Sequence, residues 1–556
     1  MRYLLVLVSK TQYKMFAGRG LVLLLSSALV AVTVLPLVSL AAPDQDRVTA
    51  LPGLTGALDS PMYSGYLDTS PTDKVHYLLQ ESKSSHPESD PLVLWLQGGP
   101  GASSLLGAFQ EQGNYILSSD TSVFRNPFSW NQVANVLFLE SPTGVGFSYC
   151  EANLNGGKCQ HNDTSTAELN LSALMQFVEK FPEYQGREFM IWGESYAGVF
   201  VPTLANLVYE SDLKLNFAGF SVGDPCTSEK YQHLSGQLHF NLGFAFHNGF
   251  ISTQQYAFLL GNCVLHDANG HLVPDTSDPG CKLAWRVYYI ATANNDGQNV
   301  QGFEANLGKY GKFINTFNDY GPDGGPFNTM LRNYLSSPEV RQALHVTEAP
   351  VERWGMGDNL VYTKQHLACF YEEGTPATLK PLYNASMLPI YEKLAGKLRN
   401  IVVFNGDTDP DVQYRGTEAA IESLGLKVLP GGDWRPWFYK PNGVSASVLE
   451  KKMPQWGELL SYKPMNPQLG GYVKNYESNV SFVTIHTSGH MVPQFKPVSA
   501  LQFFSRVLYN MHLSPLLDMS QVESCSDSEF FGTSDAEGYM GEWINEAQSS
   551  SFSGYY

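Results

Sequence analysis

Six short apolar runs constrain the fold of this chain more than any other feature. They are PLVLWLQGGPG (91–101), NVLFLESPTGVG (135–146), EFMIWGES (188–195), FAGFSVGD (217–224), NIVVFNGDTD (400–409) and VSFVTIHTSGH (480–490). A strand with one wet face alternates apolar and polar residues, so an unbroken apolar run is expected to be covered on both faces, as in a mainly parallel sheet packed between helices. Helical patterns lie in the intervals. A capping box of Ser165 with Glu168 opens a segment whose Leu171, Leu174, Phe177, Val178 and Phe181 fall on one face, and Pro497 opens the helix-like PVSALQFFSRVLYNM. The expected architecture is therefore α/β, with a mainly parallel central sheet flanked by helices. In such sheets functional residues gather at the carboxyl ends of the strands, which is where these runs meet Gly, Ser, Asp and His.

Breaks in that rhythm set the expected boundaries. The stretch from Glu229 to Ala385 is rich in His, Asn, Gly and aromatics and is read as an insertion covering the sheet, which leaves a core in two parts, 43–228 and 386–512. A polar, Ser-rich tail follows at 513–556. Residues 1–42 carry Arg19 and then an apolar run from Leu21 that ends in Ser39, Ala41 and Ala42 before PDQD, the pattern of a cleaved secretory signal. Met15 offers an alternative start to the same signal. The run is long enough to span a bilayer, so a signal anchor is the rival reading. With the signal removed, no stable membrane span is expected.

Composition narrows the partners. A net charge of −18 argues against nucleic acid, whose phosphates require a basic face, and 43% hydrophobic with 16% charged residues is an ordinary globular balance. An exported chain fits the sequons at Asn162, Asn170, Asn384 and Asn479. Seven cysteines in an oxidising compartment allow three bridges with one left over; Cys150 with Cys159 and Cys263 with Cys281 are the local pairs, Cys226 with Cys369 a longer one, and Cys525 the odd residue. The expected location is the secretory pathway, ending outside the cell or in a vacuole or lysosome.

The chemistry centres on Gly193-Glu194-Ser195-Tyr196-Ala197, which follows a strand and precedes a helix-compatible run. That is the pattern of a tight turn presenting a nucleophilic serine, with Ala197 where a second glycine is commoner. Alone it is a frequent accident. Asp409 and His490 give it weight, because both follow strands and the order Ser195, Asp409, His490 is that of α/β-hydrolases. In that arrangement His490 takes the serine proton and Asp409 fixes the imidazole tautomer. Asp407 and Asp411 compete with Asp409 by position. Asp407, Asp409, Asp411 and Glu418 also match ligand positions of a calcium loop, though Val412 occupies the glycine position and a strand leads in. His486 and His490 lie four apart, but Gly489 and the strand context argue against a helical zinc pair, and His486 is read as structural. WLQGGPGASS puts glycines straight after a strand, where backbone N–H groups can face an anion.

Taken together, WLQGGPGASS, ESPTGVGFSY, GESYAG, NGDTD and SGHMVP resemble the serine carboxypeptidase family, in the right order from about Tyr63 to about Leu508. The resemblance implies an α/β-hydrolase fold with a largely helical insertion, and an exopeptidase that removes residues from peptide and protein C-termini without metal or organic cofactor. By motif position it assigns Ser195, Asp409 and His490 to catalysis, and the N–H groups of Gly99 and Tyr196 to the oxyanion hole. Gln97, Gly98, Glu111 and Glu194 correspond to the residues that bind the substrate's terminal carboxylate, with Trp95 nearby and Met491 beside the pocket for the leaving residue. Two carboxyls held together cannot both ionise cheaply, so Glu111 and Glu194 are expected to share a proton and favour acidic pH. Gln97 stands where many members have asparagine, and Ala102 where many have a cysteine, which removes one familiar bridge. An acyltransferase or esterase on the same scaffold and a non-catalytic binding protein are the alternatives, and a homodimer is left open.

Overall fold

The computed structural model describes residues 43–232, 234–266, 272–291, 321–365, 368, 386–409, 412–440 and 467–524. The expected signal, Cys369, Asn384, Asp411, Cys525 and most of the polar tail lie outside the described residues.

Ten strands form one sheet: β1 (Met62–Asp68), β2 (Lys74–Gln80), β3 (Leu92–Leu96), β4 (Asn135–Leu139), β5 (Glu188–Glu194), β6 (Asn216–Gly223), β7 (Asn400–Gly406), β8 (Arg435–Tyr439), β9 (Gln468–Tyr476) and β10 (Val480–Ile485). Their order is β1-β2-β4-β3-β5-β6-β7-β10-β9-β8. The six runs singled out by sequence are the six adjacent strands β4, β3, β5, β6, β7 and β10, all mutually parallel. Antiparallel pairs flank them, β1 with β2 on one side and β9 with β8 on the other. Those strands escaped the sequence reading because MYSGYLD and QLGGYVKNY mix polar residues and glycine into the strand and so break the apolar run.

Alternate residues of each parallel strand enter opposite cores. Val93, Trp95, Met190, Trp192, Val402, Phe404, Val483 and Ile485 pack on one face with helix Pro497–Leu508. Leu92, Leu94, Leu96, Phe189, Ile191, Val403 and Phe482 pack on the other, against α1 (Asp163–Lys180) and α2 (Ala197–Glu210). The α1 start differs from expectation: Asn162, not Ser165, is the cap, its side chain accepting from Ser165 N at 2.9 Å while Ser165 Oγ accepts from Asn162 N at 3.0 Å. Asn170 is fully buried on α1 and accepts a hydrogen bond from Ser141 Oγ, so a glycan expected there has no room; Asn479 is exposed.

Between β6 and β7 the chain builds α3 (Leu234–His247), α4 (Thr253–Asn262), α5 (Pro279–Ala291) and α6 (Gly321–Ser336). Leu238, Leu242, Leu259, Trp285 and Tyr288 form a small core of their own there, whereas Leu331, Tyr334 and Leu335 of α6 join the main core. The Cys263–Cys281 bridge staples the small core, and Cys150–Cys159 closes a loop after β4, both as expected. Cys226 is buried and disulfide-bonded.

Indoles fill the first face. Trp130 stacks on Phe504 with centroids 4.0 Å apart and meets Trp95 and Trp192 edge-on at 5.4 and 5.2 Å. Truncating Phe504 to alanine leaves a hole beneath the strands that carry the site, and the expected loss is about 3–5 kcal/mol of unfolding free energy, read from urea denaturation.

Candidate active site

Strand β5 ends at Glu194, and Ser195 turns sharply with φ 63° before α2 begins at Ala197. A serine in the left-handed region is strained, and the surrounding chain pins it. Ser195 N donates to Gly223 O at 2.9 Å, and its carbonyl accepts from Gly198 N at 2.9 Å and Cys226 N at 3.0 Å. Close packing explains the small residues: a Cβ on Gly193 would collide with Leu96 O and the Ala197 methyl. Alanine at 197 therefore still leaves the turn room.

The neighbouring strands β7 and β10 bring Asp409 and His490 to the same end of the sheet. Thr408 ties the two loops, with N and Oγ1 both donating to Ser488 O at 3.0 and 2.7 Å. Buried Asp409 places Oδ2 2.7 Å from His490 Nδ1. Burial works against the charged imidazole, while Asp409 favours it by charge and hydrogen bond; the further upward push that ionised Asp224 and Glu194 would give His490 is removed when those two buried acids are protonated. The competing acid is placed elsewhere: Asp407 pairs with His486 Nδ1 at 2.7 Å and accepts from Thr487 N at 2.6 Å.

Among the described residues, Asp407, Asp409 and Glu418 do not converge as calcium ligands. The acid and histidine group that does converge is Asp224, Asp409 and His490, with one ligand atom from each within 4.8 Å of the others. Asp409 Oδ2 faces the ring nitrogen of His490, and Asp224 Oδ1 faces N–H donors of Asn405 and Gly406 at 3.0 and 2.9 Å. Oxygens turned toward donors suit an acid–base group better than a cation cage.

The glycine loop after β3 lies against the serine turn. A Cβ on Gly98 would sit 2.5 Å from Tyr196 N and 2.8 Å from Ser195 Cβ, and Gly99 has φ 109°. Tyr196 is anchored by a residue the sequence reading missed: its hydroxyl donates to buried Asp163 at 2.9 Å, beside Tyr362 OH at 2.8 Å and Gln365 N at 2.7 Å. A second missed carboxylate, Glu140, accepts from Ser103 of the glycine loop, from His76 Nδ1, Phe147 N and Trp354 Nε1, the last three at 2.8 Å. Its signal was available, since an acid at the end of the apolar run VLFL must be buried and therefore partnered.

Gln97 is the hub of the remaining group. Trp95 Nε1 donates to Gln97 Oε1 at 2.8 Å and fixes the amide, so Gln97 Nε2 faces Glu194 Oε1 at 2.5 Å and Glu111 Oε1 at 3.3 Å. Glu111 belongs to the short helical turn Gly107–Glu111 and is 1% exposed, which removes the alternative of a solvated loop charge. Its Oε2 is buried and meets no donor among the described residues. Burial and then the charge of Glu194 push Glu111 well above the usual carboxylate range. Burial raises Glu194 to about 7, with His490 opposing. Met491, next to His490, is half-buried.

Residues 52–510 match the model of a family described as serine carboxypeptidase. The chain belongs to the serine carboxypeptidase family. It is 33% identical over 499 residues to the lysosomal protective protein of Mus musculus, covering 84% of this chain and 94% of that protein. It is 31% identical over 482 residues to serine carboxypeptidase-like 36 of Arabidopsis thaliana, covering 84% and 87%. The structure of a prohormone-processing carboxypeptidase from Saccharomyces cerevisiae superposes with a TM-score of 0.57 at 20% identity over 84% of this chain and 96% of that one, and shows the shared α/β-hydrolase fold.

The buried acids leave a mark on stability. An acid that holds its proton more tightly folded than unfolded supports the fold at low pH, and that support is lost as pH climbs to the folded pKa. For Glu194 the window runs from the ordinary 4.5 to about 7. The unfolding temperature is expected to fall across it, and Glu111→Gln to flatten the fall; an unchanged slope in the variant would contradict the buried pair.

Proposed function

We propose that this protein is a serine-type carboxypeptidase that releases residues singly from free C-termini through an acyl-enzyme and works best at acidic pH. The observation that carries the reading is the buried Glu111–Gln97–Glu194 group beside Ser195. Below about pH 7 Glu194 is protonated, and a neutral acid next to the nucleophile opposes neither the oxyanion nor an incoming carboxylate. Its O–H, the Gln97 amide and the N–H of Gly98 together offer donors to the two oxygens of a peptide end.

The steps follow from the remaining groups. His490 Nε2 takes the Ser195 proton as Oγ attacks the last peptide carbonyl, and the N–H groups of Gly99 and Tyr196 hold the developing oxyanion. His490 then returns the proton to the leaving amine. Water enters by the same route and hydrolyses the ester, regenerating Ser195. Asp409 keeps the imidazole in the required tautomer throughout. An acyl-enzyme can also pass to an alcohol, but a pocket reserved for a free carboxylate favours peptide ends. The Cys150–Cys159 and Cys263–Cys281 bridges, and a relative named as lysosomal, support a secretory route ending in a lysosome, a vacuole or outside the cell.

Michaelis constants for a blocked dipeptide and its C-terminal amide separate this reading from a general esterase. For the free acid KM is expected to rise at least about tenfold between about pH 5 and about pH 8 as Glu194 ionises, and for the amide to stay level. Parallel trends for both would count against the carboxyl pair. Ser195→Ala is expected to abolish turnover while retaining peptide affinity, and turnover near the wild-type rate would refute the nucleophile.

A further inference from the structure

Asp224 stands just past the end of β6, beside the serine turn, and the mechanism above gives it no task. It is fully buried, with a carboxylate oxygen in the group it forms with Asp409 and His490. Oδ1 accepts the two N–H donors of Asn405 and Gly406, while Oδ2 is buried and among the described residues meets no donor. Its φ is 45°, a region that Asp and Asn enter more readily than other side chains.

A buried carboxylate oxygen without a donor is far costlier as part of an anion than as a neutral O–H, because the charged form loses much more hydration. The groups facing Asp224 deepen that cost: Asp409 from the loop after β7 and Glu194 from the end of β5 are acids, and the charge of His490 from the loop after β10 is shared with Asp409. Burial, and then Asp409, hold the Asp224 proton well above the usual range. The histidine sets a second requirement. Each negative charge nearby strengthens the grip of His490 on its own proton, and an imidazolium cannot accept one from Ser195. A base that works in acid tolerates Asp409 but not a second anion.

We propose that Asp224 is a positioning residue for the reaction: held as the neutral acid in the buried group with Asp409 and His490, it fixes through Oδ1 the end of β7 at Asn405 and Gly406, from which the Asp409 loop departs, and spares the histidine a second negative charge. This rests on the reading of Asp409 and His490 as acid and base.

The test is the rate of Ser195 labelling by a fluorophosphonate in the full chain, for wild type, Asp224→Asn and Asp224→Ala, across the pH range, with unfolding temperatures to confirm folding. The probe has no carboxylate, so Glu111 and Glu194 do not enter as its binding site. Asparagine keeps an acceptor for Asn405 and Gly406 and a donor where the O–H was; alanine loses both. Asp224→Asn is expected to label within about threefold of wild type with the acid limb of the profile moved by less than about 0.3 pH unit, and Asp224→Ala to label about tenfold more slowly. A downward shift of about one pH unit in the asparagine variant would mean that Asp224 carried a charge, and overturns the proposal. An alanine variant as fast as wild type overturns it as well; where that variant does not fold, the asparagine limb decides. A wild-type chain that fails to label overturns the assignment of Ser195 and His490, and this role with it, whereas loss of the Asp224 effect in a chain that labels removes this role alone.

Discussion

Two buried carboxyls, Glu111 and Glu194, face one amide, Gln97, and the chemistry of the cleft follows from that crowding. Among the described residues neither acid has a cation at hydrogen-bond range, so protonation is the cheapest way to relieve their charge. Trp95 makes the arrangement rigid by holding the Gln97 carbonyl and turning the amide nitrogen toward both acids. Glu194 immediately precedes Ser195, so its charge state bears directly on the strained serine turn. Under the proposed mechanism, acid pH, free carboxylates and acyl transfer would be joined through that one residue position.

The sheet makes such crowding possible. Neighbouring parallel strands deliver Gln97 from β3, Glu194 and Ser195 from β5, Asp224 from β6, Asp409 from β7 and His490 from β10 to one edge, and two apolar layers hold the strands at fixed spacing. Residues between those strands serve as braces. Asp163 holds the Tyr196 ring, Glu140 ties Ser103 of the glycine loop to Trp354, and Thr408 locks the Asp409 loop to the His490 loop. An acid-rich site is thus supported by buried hydrogen bonds, with each carboxylate given donors or a proton.

Much of this was legible in the sequence because continuous apolar runs and strand-end polar clusters are local signals. Ser195, Asp409 and His490 were readable from their strand context and order, and the structure pairs Asp409 with His490 while it assigns Asp407 to His486. Glu111 was not readable from its surroundings, since GAFQEQGNY gives no hint that the acid is buried; the family resemblance supplied it. Asp163 and Asp224 were missed because their partners are distant in the chain, whereas Glu140 could have been flagged as buried from its place at the end of an apolar strand, though not matched to its partners. The edge strands and the Asn162 cap were missed for a related reason: mixed polarity and competing Ser, Thr and Asn caps leave local patterns ambiguous until packing chooses.

The shared proton is tested most directly by counting protons on binding. Calorimetric titration of Ser195→Ala with a peptide, in buffers of different ionisation enthalpy at about pH 7, should register uptake of about half a proton for the free acid and none for the same peptide as its C-terminal amide. Binding without uptake, or equal uptake by acid and amide, would contradict a carboxyl pair that must be protonated to receive the end of a chain.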